Sequence, residues 1–75
     1  MKYFNKGKAY RQFAKLTQEE MSKLLGISIE TYKNKEQMVN DFKASECIKL
    51  LEILRNRGRE LDVEILKDVE FEDLF

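Results

Sequence analysis

The chain has 75 residues, 43% hydrophobic and 37% charged, with no proline, three glycines and a formal net charge of zero; that composition describes one small, soluble, mostly helical domain. A domain of this size buries only about 60% of its unfolded surface, which leaves little room for a deep enzyme cleft, and no apolar run approaches the ~20 residues a bilayer crossing needs. The zero net charge hides an asymmetry: residues 1–43 hold nine Lys or Arg against five Asp or Glu, and residues 44–75 hold five against nine, so a basic part suited to a polyanion precedes an acidic one.

The opening MKYFNKGKAY has no apolar h-region of a signal peptide. In KAYRQFAK, residues 8–15, the spacing of Ala9, Tyr10, Phe13 and Ala14 predicts a first helix. Thr17-Gln18-Glu19-Glu20 has the form of a capping box, in which the threonine oxygen and Glu20 satisfy each other's backbone amides. A second helix therefore starts at Gln18, with Met21, Leu24 and Leu25 inward at i, i+3, i+4. Gly26 ends it, because glycine reaches the left-handed conformation without strain. Only Ile27 separates that glycine from Ser28, a good N-cap, so a third helix follows from about Ile29 to Glu36. Two short helices joined by so tight a turn form a helix-turn-helix.

QMVNDF is expected to be a loop that carries Phe42 to the core. From about Lys43 a fourth helix runs through ASECIKLLEILRNR, with Cys47, Ile48, Leu51 and Leu54 inward and Gly58 as its stop. Beyond it, Leu61, Val63 and Ile65 alternate with acids as in a strand, whereas Leu61, Ile65 and Val69 fit a helix. The window leaves both open, and FEDLF has the look of a final helical turn. The expected architecture is all-α, with four to five helices and room for a short C-terminal strand.

Catalytic chemistry finds few residues to work with. There is no histidine, hence neither the usual general base nor the commonest metal ligand. Cys47 is the single cysteine and sits in an apolar helical run, so it reads as a buried structural thiol, and no internal disulfide is possible. Glu19 and Glu20 suit a helix's first turn, and no glycine-rich phosphate loop is present. Neither an enzyme, a cofactor nor a metal site is expected, and the cysteine usage fits the cytoplasm.

LTQEEMSKLLGISIETYKNKE resembles the Cro/repressor-type, or XRE, helix-turn-helix family. LTQEE, LLGIS, TY and NKE fall in register without a gap, as does the later Phe42-x-x-x-Glu46. The resemblance runs from about Arg11 to Leu54 and is nearest to small phage-type regulators. It implies that helix 3 lies in the DNA major groove and helix 2 crosses the backbone. It further implies a structural ion pair between Arg11 and Glu36. The DNA-contacting set it implies is Gln18, Ser28, Ile29, Glu30, Lys33, Asn34, Lys35 and Gln37. Within that set Gln18, Lys33, Lys35 and Gln37 meet phosphates. Asn34 suits adenine; Glu30 either accepts from cytosine or complements the helix dipole; Ile29 either touches a thymine methyl or covers the turn. Tyr32 is expected in the core. Met38 departs from the family, in which many members carry glycine there, and Lys35 stands where many have an apolar residue.

The expected partner is a double-stranded DNA operator, bound by a homodimer. The dimer candidates are Leu61, Val63, Ile65, Val69, Phe71, Leu74 and Phe75, which together exceed what a small core holds. The rival reading is a protein-binding modulator or antirepressor: helix-turn-helix as scaffold, acidic C-terminus as the binding part, with seven acids and one Lys in residues 60–75.

Overall fold

The computed structural model describes residues 6–74, and every regular element among them is a helix. These are α1 (Gly7–Phe13), α2 (Gln18–Leu25), α3 (Ile29–Glu36), α4 (Ala44–Leu61) and two single turns, α5 (Glu64–Lys67) and α6 (Phe71–Leu74). No described helix is long and apolar enough to cross a membrane. Phe75, one of the dimer candidates, lies outside the described residues.

One core serves all six helices: Ala14, Leu16, Met21, Leu25, Tyr32, Leu50, Leu54, Leu66, Val69 and Leu74. Two residues expected inward face out instead, Leu24 at 47% exposed and Ile48 at 62%. On α4 the inward stripe is Cys47, Leu50, Leu51, Leu54 and Gly58, a run at i, i+3, i+4, i+7 and i+11 that leaves Ile48 about 100° off the stripe.

Gly58 does not stop α4; it is buried inside it. A Cβ there would lie 2.7 Å from Leu66 Cβ and 2.9 Å from the Lys67 amide nitrogen, so glycine is what lets α5 press against α4. The helix ends instead at Asp62, whose left-handed φ of 57° turns the chain back. That reversal decides the strand-or-helix question: α5 forms, with Leu66 as its buried residue and Ile65 exposed.

Four helices close in the same way. The residue after the last turn adopts positive φ, and the next amide bonds back to the carbonyl five residues earlier. The pairs are Leu16 to Arg11 (3.2 Å), Ile27 to Ser22 (3.0 Å), Val39 to Asn34 (2.8 Å) and Val63 to Gly58 (2.9 Å). The left-handed residues are Lys15, Gly26, Met38 and Asp62. Only Gly26 adopts this conformation without a Cβ penalty. Two arginines of α4 tie down other carbonyls: Arg57 Nε donates to Ala14 O (3.0 Å) and Arg55 Nε to Val69 O (2.9 Å).

Candidate nucleic-acid interface

The helix-turn-helix is assembled by its caps. Thr17 Oγ1 accepts from the Glu20 amide (3.0 Å) and Glu20 Oε1 accepts from the Thr17 amide (2.9 Å). The bond from the Thr17 backbone holds the Glu20 carboxyl below its ordinary range. Three residues after the end of α2, Ser28 starts α3: its Oγ accepts from the Thr31 amide (3.1 Å) and donates to Thr31 Oγ1 (2.8 Å). The cap thus takes the one hydrogen and one of the two lone pairs of the Ser28 hydroxyl, which gives Ser28 a structural part within the expected DNA-contacting set.

The inner flank of α3 is bolted to α1 through one carboxylate. Arg11 Nε donates to Glu36 Oε2 (2.8 Å) and Arg11 Nη2 to Oε1 (3.3 Å), while Nη1 donates to Leu16 O (2.7 Å). Tyr32 Oη also donates to Oε2 (2.7 Å) and Gln18 Nε2 to Oε1 (2.8 Å). Arg11 and Glu36 are both buried. Burial disfavours each charge, yet the partners outweigh it: the Glu36 carboxyl sits below its ordinary range and the Arg11 guanidinium above its own. Burial, and then the bond to Glu36, push the Tyr32 hydroxyl well up, so it stays a donor. The expected ion pair is present, and Tyr32 is in the core as expected. Gln18 spends one amide hydrogen on Glu36 and has a second, as every primary amide does, to offer outward.

The other flank of α3 is bolted to α4. Lys35 Nζ meets Glu46 Oε1 at 2.5 Å, and the Lys43 amide donates to the same oxygen at 2.8 Å. Lys35 is buried, so it is no surface cation awaiting a phosphate, and this corrects its expected role. Burial opposes ionisation of Glu46, but the bond from Lys35 and that from the Lys43 backbone hold its carboxyl below the ordinary range.

What remains for a partner is the outer face of α3. Ile29 (39% exposed), Glu30, Lys33 and Gln37 are exposed and Asn34 is half-buried. Their spacing of i, i+1, i+4, i+5 and i+8 places all five on one side of the helix. Directly after it come exposed Met38 and Val39, the latter 66% exposed, and then exposed Lys43. Neither Val39 nor Lys43 carried a sequence signal for this position; Lys43 is brought beside Lys35 only by their shared partner Glu46.

The C-terminal apolar set splits three ways. Val69 and Leu74 are fully buried in the chain's own core, which removes them from any external face. Val63 is half-buried against that core. Leu61 and Ile65 are exposed near the end of α4, while Phe71 is exposed beside a groove lined by Phe42, Ala44, Cys47, Ile48 and Leu51. Ile48 and Leu61 are 13 positions apart on one helix, or about 20 Å, so these residues do not form one patch. Burial, then the neighbouring Glu46 carboxylate, push the Cys47 thiol up, the state of an unreactive thiol. Set beside known proteins, the chain matches no family model, no curated protein and no solved structure.

Proposed function

We propose that this chain is a sequence-specific DNA-binding transcriptional regulator of the Cro/repressor kind, reading an operator with α3 in the major groove. The observation that carries the reading is the division of labour on α3. On the inward side Glu36 is tied to α1 and Lys35 to α4, and Tyr32 donates to Glu36 from within α3; of the outward residues Glu30, Lys33, Asn34 and Gln37 are polar and Ile29 is the one apolar side chain. Asn34 offers a donor and an acceptor side by side, the pattern that matches adenine N7 and N6. Lys33, with Lys43 in place of the buried Lys35, supplies phosphate charge. Such a regulator works where the DNA is, in the cytoplasm, in keeping with the single cysteine.

A half-site alone carries little information, so the active form is a homodimer with half-sites about 34 Å apart. The face best suited to self-association is the groove around Ile48 and Phe71, since Val69 and Leu74 belong to the core. Deleting residues 61–75 is a poor test, because it strips Leu66, Val69 and Leu74 from the core as well. Ile48→Lys is the cleaner variant, and sedimentation should find it monomeric where the parent dimerises. The same groove is what favours the second reading, a protein partner held by the C-terminal half.

Amide chemical-shift mapping separates the two. On adding duplex DNA, shifts should gather on Ile29, Glu30, Lys33, Asn34 and Gln37. Shifts confined to residues 44–74, or none at low salt, would set the DNA reading aside.

A further inference from the structure

We infer that the partly buried Lys35–Glu46 bridge acts as a second clamp on α3, making Glu46 a positioning residue for base recognition although it lies on α4 and faces no groove. The inference rests on the DNA reading above. Lys35 and Glu36 are adjacent, so their side chains leave α3 about 100° apart. Glu36 reaches Arg11 in the last turn of α1, at 2.8 Å, and Lys35 reaches Glu46 at the start of α4, at 2.5 Å. A helix held on one flank can roll about its axis; one held on two flanks cannot. Side-chain tips lie about 5–6 Å from the axis, so a roll of 10° displaces Asn34 and Glu30 by about 1 Å, enough to spoil a bidentate contact.

Glu46 is suited to the task because it is itself fixed. The oxygen that receives Lys35 also receives the Lys43 amide (2.8 Å), so the carboxylate cannot swing without undoing the start of α4. The Lys35 and Glu46 side chains retain only 8% and 12% of their exposure, and so the bridge is shielded from the salt that weakens surface pairs. A lysine that only filled space would be replaced by any apolar chain of similar length without consequence for recognition.

The test compares full-length wild type, Lys35→Met, Glu46→Gln and the charge swap Lys35→Glu with Glu46→Lys. Met fills the lysine's volume, and Gln keeps an acceptor for the Lys43 amide. Each protein is titrated against a site selected from random duplexes and against a scrambled duplex, over a salt series. Residual dipolar couplings of the DNA-free proteins report the orientation of α3. The clamp predicts a reoriented or loosened α3 in Lys35→Met and at least about a tenfold loss of discrimination, the value of one base contact, with the salt slope unchanged. Glu46→Gln should lie between, and the charge swap should recover part of the discrimination. A salt slope lowered by about one, with equal weakening on both duplexes, makes Lys35 a phosphate ligand and overturns the clamp. So does an unchanged α3 with intact discrimination. If Lys35→Met fails to fold, Glu46→Gln is judged by the same criteria. If wild type selects no duplex, the DNA reading has failed, and the couplings alone decide the clamp: an unmoved α3 in Lys35→Met overturns it.

Discussion

Arg11→Met tests the inner bolt of α3. Methionine keeps the unbranched stem and deletes three donated bonds, two to Glu36 and one to Leu16 O. Glu36 is left as a buried carboxylate without its guanidinium, still receiving the Tyr32 hydroxyl and the Gln18 amide. Removing one partner of a buried pair costs about 3–5 kcal/mol, against a total of about 4–11 kcal/mol expected for a domain of this length. With an unfolding entropy of about 2.1 cal/mol/K per residue, 3 kcal/mol corresponds to a fall in Tm of about 19 °C. Urea and thermal unfolding read this directly. The pH dependence adds a sign. In the wild type the Glu36 carboxyl is held below its ordinary range, so its contribution is complete above the unfolded pKa of about 4.3 and is lost as pH falls through the lower folded value. In Arg11→Met, burial is no longer outweighed and the folded pKa rises. That carboxyl then becomes a liability as pH rises above about 4.3, and the two proteins converge in acid. A cost below about 1 kcal/mol, or parallel pH profiles, would refute the buried-bolt account.

Met38→Gly should stabilise the protein by about 1 kcal/mol, seen as a higher urea midpoint, because Met38 holds φ of 66° and glycine relieves that strain; no gain, or a loss, would count against it. Gly58→Ala should destabilise by about 1–2 kcal/mol even though alanine favours helices, since the new Cβ meets Leu66 and the Lys67 backbone below 3 Å and overpacking of this kind costs about 1–3 kcal/mol; a rise in Tm would show that α5 yields freely. Lys33→Ala should weaken binding to all duplexes and lower the salt slope by about one. Asn34→Ala should cost about 1–3 kcal/mol on the operator alone, and titrations on operator and scrambled DNA distinguish the two patterns.

Much of the helix-turn-helix was legible because its signals are local. Thr17 and Glu20 specify a cap within four residues, and Gly26 and Ser28 specify the turn, so α2 and α3 fall at Gln18–Leu25 and Ile29–Glu36 as expected. The Arg11–Glu36 pair was legible only through the family resemblance, since no local rule joins residues 25 apart. The misreadings share a different origin. Gly58 reads as a stop by itself; its actual part depends on α5 arriving against it. Lys35 reads as a surface cation, and only the fold brings it to Glu46. Likewise, Ile48 and Leu50 differ by two positions in one apolar run, and which of them faces inward depends on where α5 and α6 pack. Val69 and Leu74 read as surplus because the turn at Asp62 that folds them onto α4 has no glycine to announce it.

The central claim is that this chain reads DNA by sequence. Fluorescence anisotropy of the full-length protein against duplexes tiled across the DNA flanking its own gene tests it most directly, with a scrambled duplex and a salt series alongside. The account predicts one or a few duplexes bound at least about 10³-fold more tightly than scrambled DNA, with affinity falling as salt rises. Equal binding to every duplex, or no binding even at low salt, would contradict it.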